Sequence, residues 1–149
     1  MITIFTTPSC SSCRKAKKWL DDNKLKYDEI NIFNTKLTRK DIVAILDKTE
    51  NGFDDIISRR SKIISESNIN INDMKINELL DFIIENPSIL RRPIIIDHKR
   101  LQVGYNDEEI RTFLPRHVRD QLICNERVCT GEYVCDYLQS LQNILRIKT

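Results

Sequence analysis

Two cysteines separated by two residues, Cys10-Ser11-Ser12-Cys13, carry the clearest chemistry in the sequence. Thiols at that spacing can bridge without a large backbone movement, so the pair predicts a reversible dithiol–disulfide couple. With a helix beginning at Ser11, Cys10 occupies the N-cap and Cys13 the first turn. Free N–H groups and the positive end of the helix dipole stabilise thiolates there, where thiol pKa values of roughly 3.5–7.5 occur. Arg14 and Lys15 push the same way. Cys10, nearer the exposed end, is the expected nucleophile, and Cys13, shielded inside the turn, the resolving thiol. Two small core residues or a zinc site are the competing readings. Zinc would have to recruit Cys124, Cys129 and Cys135, but these lack a second two-residue spacing, and His98 and His117 complete no ligand pattern. No metal or cofactor is expected, and the three later thiols have no assigned role.

Arg91-Arg92-Pro93 precedes an apolar run. Pro93 is therefore a cis-proline candidate at the start of a strand, and Arg92 falls near the two-cysteine turn. A guanidinium there would stabilise the Cys10 thiolate or bind sulfate, phosphate or a sulfonate. Solvated charges at a loop end are the alternative. Arg59, Arg60 and Lys62 form a short basic cluster that could meet phosphates but lacks the aromatic interleaving of a nucleic-acid module. Gly52, one of three glycines, sits at a helix break. Read physically, it is a C-cap with positive φ or a point of close backbone approach. No serine–histidine–carboxylate set, phosphate-cradling glycine loop or paired carboxylates can be read.

These residues need elements to hold them. Ile2 to Thr6 is β-branched and aromatic and stops at Thr7-Pro8-Ser9. Ala16, Trp19 and Leu20 then recur at helical spacing, and Tyr27, Ile30, Ile32 and Phe33 read as a second strand, which completes a β-α-β unit. Helical spacing also links Leu37, Ile42, Ile45 and Leu46, and again Met74, Leu79, Leu80, Ile83 and Ile84. Ile56-Ile57 predicts a short helix between them. This middle stretch looks all-helical. Strand character returns at Pro93–Ile96 and Leu101–Val103, with Asp97–Arg100 as an antiparallel turn, before a closing helix over Asp107–Leu114. Beyond Pro115 a short helix and a mobile tail are expected.

The 149 residues, 40% hydrophobic and 31% charged, fit one soluble globular unit. The 24 Lys and Arg against 22 Asp and Glu leave a net charge of +2, too little to mark an autonomous nucleic-acid binder. No apolar run approaches the roughly 20 residues that span a bilayer, and no secretory pattern follows Met1. A cytoplasmic address is expected, where five cysteines would be mostly reduced.

The stretch Thr6-Thr7-Pro8-Ser9-Cys10-Ser11-Ser12-Cys13-Arg14-Lys15-Ala16 resembles the Spx family of redox-responsive transcriptional regulators, relatives of the arsenate reductases. So do Asn31-Ile32-Phe33, Thr49-Glu50-Asn51-Gly52, Ile56 to Lys62, and Leu90 to Tyr105 with its Arg91-Arg92-Pro93-Ile94-Ile95-Ile96-Asp97. The resemblance implies an α/β, thioredoxin-like mixed sheet with an inserted helical lobe. It implies a single unit over 1–123, with its core at about 1–33 and 88–115 and its insertion at about 35–87, followed by a tail at 124–149. It further implies binding to the C-terminal domain of the RNA polymerase α subunit, altered promoter use under thiol stress, and promoter DNA met only within the polymerase complex. On that reading Cys10 and Cys13 form the disulfide switch and Gly52 lies on the polymerase-binding surface. Arg60 and Lys62 contact polymerase or DNA, and Arg92 couples the switch to a helix rearrangement. A monomer when free is expected. Control by the Clp protease and its adaptor is also implied, but the tail departs from the family's short apolar ending, as a divergent paralogue's would. The alternative is an arsenate reductase-like enzyme, glutaredoxin-dependent, with Cys10 as nucleophile and Arg60 and Arg92 as anion clamps. A general dithiol oxidoreductase is a third class.

Overall fold

The computed structural model describes residues 1–119. The chain divides into two compact units, Met1–Ile110 and Arg111–Thr149. The first unit holds a four-stranded mixed sheet of order β2-β1-β3-β4. Its strands are β1 (Ile2–Thr6), β2 (Tyr27–Asn31), β3 (Ile94–Ile96) and β4 (Leu101–Val103). β1 runs parallel to β2 and antiparallel to β3, and β3 runs antiparallel to β4. The α-helices among the described residues are α1 (Ser11–Asp22) between β1 and β2, then α2 (Arg39–Leu46), α3 (Phe53–Ile56), α4 (Lys62–Glu66) and α5 (Ile76–Glu85) between β2 and β3.

Register decides which side of the sheet each helix covers. Ile4 lies opposite Glu29 and Ile95, and Ile95 opposite Gln102. Phe5 lies opposite Ile30 and Ile94, on the other face, because side chains alternate along a strand. Lys17 of α1 reaches Glu29 at 3.0 Å, so α1 covers the Ile4 face and turns Cys13, Ala16 and Leu20 inward. Their spacing of three and four residues is one helical stripe. Phe5 and Ile94 instead join Leu37, Ile42, Ile45, Ile56, Leu79, Ile83 and Ile89 in a single core cluster. The helical insertion therefore packs on the second face, giving three layers.

Local signals set the helix ends. Asp41 N–H donates to Thr38 Oγ1 at 3.3 Å, and Thr38 N–H donates to Asp41 Oδ2 at 2.8 Å, a reciprocal box that starts α2. Leu37 precedes α2, and Met74 precedes α5, although both follow their helices' apolar spacing. β2 ends two residues before Phe33, because Asn31 Oδ1 accepts from Phe33 N–H at 3.0 Å and Asn31 O from Thr35 N–H at 2.8 Å. That turn leaves Phe33 half exposed. The middle stretch is not purely helical. Ile57 and Leu90 form an antiparallel bridge, flanked by Ser58 N–H to Ile89 O and Arg91 N–H to Ile56 O, both at 2.8 Å. The helix expected over Asp107–Leu114 is a shorter 3₁₀ turn, Glu109–Phe113. Gly52 is no C-cap: α2 closes at Asp47, and Gly52 is the N-cap of α3, with φ 64° and ψ −130°. In the second unit, Val118 and Arg119 N–H groups donate to Pro115 O. The expected tail at 124–149, with Cys124, Cys129 and Cys135, lies outside the described residues.

Candidate functional site

Thr6 ends β1 and α1 begins at Ser11, so the connecting turn carries Cys10 to the helix N-cap. Its backbone is extended there, φ −87° and ψ 112°, and its Sγ accepts the Cys13 N–H at 3.2 Å. The sulfur takes the hydrogen bond that a capping oxygen would take. Cys10 N–H donates to Thr7 O at 3.3 Å, which tightens the turn. No acidic residue stands in the first turn of α1, and Arg14 and Lys15 are exposed.

The two sulfurs have different surroundings. Both thiols are free; Cys10 is partly exposed and Cys13 buried at 1%. Burial pushes the Cys13 thiol up to about 12, and its hydrogen bond with Cys10 adds to this, against a backbone hydrogen bond from Thr7 and the Arg92 charge. Cys13 thus holds its proton at neutral pH, as a resolving thiol does until a mixed disulfide forms beside it.

Arg92 completes this cluster. The Arg92–Pro93 peptide is cis. Arg92 Nη1 donates to Thr7 Oγ1 at 3.4 Å, and its guanidinium lies 6.0 Å from the centre of the Phe33 ring, within cation–π range. Thr7 and Phe33 carry no role in the sequence reading, and only the closed fold brings them to Arg92. Behind the cluster, Glu29 accepts from Thr6 Oγ1 at 2.6 Å and from Lys17 Nζ at 3.0 Å. Burial pushes the Glu29 carboxyl up, but the hydrogen bonds from Thr6 and Lys17 and the Lys17 charge outweigh it and hold it low.

Gly52 belongs to a second cluster. Its φ lies in the region that favours glycine, while an added Cβ would meet nothing within 4 Å, so backbone conformation rather than space selects glycine here. Asp55 holds the loop before it. Oδ2 accepts from Glu50 N–H at 3.0 Å and Asn51 N–H at 2.9 Å, and Oδ1 from the Asn51 side-chain amide at 3.1 Å. The Asn51 backbone and side-chain hydrogen bonds, more than the Glu50 bond and the Arg91 charge, hold the Asp55 carboxyl low. Asp55 is absent from the sequence reading, although an acidic residue three positions after a helix-starting glycine is a readable capping signal. Gly52, Phe53 and Asp54 also line a cavity of about 430 Å³. Ile57, Met74 and Leu79 line it as well.

Arg60 and Lys62 are exposed and make no ion pair among the described residues, whereas Arg59 pairs with Asp54 at 2.8 Å. Among the described residues no three His, Cys, Asp or Glu side chains are grouped to hold a metal, and no helix is long and apolar enough to cross a membrane.

Comparison with known proteins places this geometry among relatives. The ArsC family pattern matches residues 5–113. The global transcriptional regulator Spx of Streptococcus pneumoniae is 53% identical over 131 residues, 88% of this chain and 98% of the relative. Spx of Staphylococcus aureus and Spx 1 of Bacillus cereus are each 55% identical over 119 residues, 80% of this chain and 91% of theirs. Among solved structures, an arsenate reductase from Vibrio cholerae superposes with a TM-score of 0.68 at 18% identity, covering 76% of this chain and 97% of that one. An ArsC family related protein from Bacteroides fragilis gives 0.66 at 22% identity, covering 74% and 95%. At such identities the two solved structures establish the thioredoxin-like α/β fold alone.

Proposed function

The chain belongs to the ArsC family, alongside its Spx members, and on that premise we propose that it is a transcriptional regulator whose Cys10–Cys13 pair senses thiol stress. Its partner is the C-terminal domain of the RNA polymerase α subunit, met through the Gly52 surface, with Arg60 and Lys62 as outlying cationic contacts. It works in the cytoplasm, and a net charge of +2 suits a protein that reaches promoters through polymerase.

The observation that carries this reading is 53–55% identity, over 91–98% of their length, to relatives named as global transcriptional regulators. The thiol geometry supports the switch. Cys10 attacks an oxidising disulfide and expels one thiolate. Cys13 then attacks the mixed disulfide, gives up its proton and releases a second thiol, so two electrons leave the pair and one S–S bond forms.

A pull-down with the isolated α C-terminal domain tests the proposal. Oxidised protein is expected to bind, and Gly52→Arg to abolish binding; undiminished capture of that variant overturns the proposed surface. One observation favours a second reading: a partly exposed N-cap thiol in a turn whose Thr7 accepts from Arg92, on a fold shared with an arsenate reductase. An oxyanion reductase would use Cys10 as nucleophile and arginines such as Arg92 and Arg60 as clamps. Turnover of arsenate with glutathione and glutaredoxin, lost in Cys10→Ser, would replace regulator by enzyme.

A further inference from the structure

Asn51-Gly52 is the one place in the 149 residues where glycine follows asparagine. Asparagine is chemically labile, because the main-chain nitrogen of the next residue can close on its side-chain amide carbon to form a succinimide ring. Glycine, with no Cβ, leaves that approach open. The fold leaves the pair free to react. Both residues lie between α2 and α3, outside any helix or strand, with Asn51 exposed and Gly52 half-exposed. Gly52 N–H donates to no acceptor among the described residues, so no hydrogen bond has to break before that nitrogen reacts. The space beside it is open, since an added Cβ would meet nothing within 4 Å. Asp55 is what restrains the pair. Its Oδ2 accepts from Asn51 N–H at 2.9 Å and its Oδ1 from Asn51 Nδ2 at 3.1 Å. The nitrogen that must leave as ammonia is thus tied to a carboxylate of α3.

We propose that Asn51-Gly52 is a self-modification site, where Asn51 deamidates through a succinimide at a rate set by the Asp55 clamp. Gly52 N bonds to Asn51 Cγ and the Cγ–Nδ2 bond breaks. Nδ2 leaves as ammonia, taking up the proton that Gly52 N gives up. Water then opens the ring at one of its two carbonyls, giving aspartate or isoaspartate. The sum is amide plus water to carboxylic acid plus ammonia, with no change of oxidation state and no co-reactant beyond solvent. The product puts a carboxylate where the amide donated to Asp55, and like charges there repel. Isoaspartate also adds a methylene to the main chain directly before Gly52. On the reading of Gly52 as the polymerase surface, on which this consequence rests, deamidation is a slow, irreversible off switch for that surface. The chemistry itself needs no partner.

Incubation of the reduced full chain in heavy-oxygen water at mildly alkaline pH, followed by peptide mass spectrometry, tests it. Oxygen label is expected at residue 51, with isoaspartate among the products, ahead of Asn23, Asn72 and Asn77, which are also exposed but precede larger residues. Asp55→Ala frees the Asn51 amide and is expected to speed labelling by about tenfold, the rate equivalent of one hydrogen bond to a charged group. Asp54→Ala breaks the pair with Arg59 but no bond to Asn51, and is expected to leave the rate unchanged. No label at residue 51, or labelling there no faster than at Asn23, overturns the site. Asp55→Ala at the wild-type rate, or Asp54→Ala as fast as Asp55→Ala, overturns the clamp. Intact and deamidated fractions, separated by ion exchange, are then offered to the α C-terminal domain. Capture of the intact fraction alone supports the off switch. Equal capture of both fractions with Gly52→Arg uncaptured refutes the off switch and leaves the surface reading standing, whereas equal capture of all three refutes the surface reading.

Discussion

Cys10 and Cys13 lie three positions apart and have opposite surroundings. Cys10 caps α1 and is partly exposed, while Cys13 faces the core beside Ala16 and Leu20. Reduced protein treated with limiting iodoacetamide near pH ~8 is therefore expected to carry label on Cys10 and none on Cys13. Peptide mass spectrometry reads this, and equal labelling would refute the division of roles. Cys13 also makes stability depend on pH. Its folded value, about 12, stands above the ordinary 9.0, so the folded state holds this proton more tightly than the unfolded chain does. The contribution is complete below about 9 and is lost as pH rises from there towards 12. Urea midpoints of the reduced protein should fall across that window, and the fall should be shallower in Cys13→Ala.

Gly52 and its loop belong to the scale of elements. The φ of 64° places Gly52→Ala in a strained backbone, with open space around the new Cβ. A loss of roughly 1–2 kcal/mol in urea denaturation is expected. Gly52→Arg carries the same strain, so only a difference between the two variants in polymerase capture reports bulk at the surface. If both fail alike, the surface reading loses its support. At the start of α2, Thr38→Ala removes one half of the reciprocal cap. A loss of about 1 kcal/mol follows, with no change in thiol reactivity, because Thr38 is exposed, is remote in sequence from α1, and its side chain bonds only Asp41 among the described residues. The exposed Arg39–Asp81 pair, although bidentate, should contribute no more than about 1 kcal/mol.

At the scale of the whole first unit, the sheet separates two kinds of packing. α1 and its thiols lie on one face, and the insertion with the Gly52 loop lies on the other. Ile83 is fully buried in the insertion's core. Ile83→Ala should therefore cost about 2–5 kcal/mol, visible as an earlier thermal or urea midpoint. Phe33→Ala removes a ring that is 51% exposed and should cost far less. Its expected effect is on the ring contact with Arg92, read as altered oxidation of the thiol pair; an oxidation midpoint unmoved by Phe33→Ala would mean that the ring does not position Arg92.

Much of this was legible before folding was considered. The cysteine spacing, the helix beginning at Ser11, the β-α-β order and the Asp97–Arg100 turn all follow from local chemistry, because strand alternation, helical periodicity and caps depend on residues within a few positions of one another. The corrections have the same origin. Phe33 and Met74 continue an apolar pattern past the point where side-chain and backbone hydrogen bonds stop the element, and Gly52 fits either a C-cap or an N-cap until the helix it touches is known. Tertiary structure alone decided which face α1 covers, that Arg92 meets Thr7 across 85 positions, and that Arg91 bonds the Ile56 and Ile57 carbonyls. Those contacts depend on how distant segments close on each other through sheet register and core packing, and residue type at short spacing does not encode that closure.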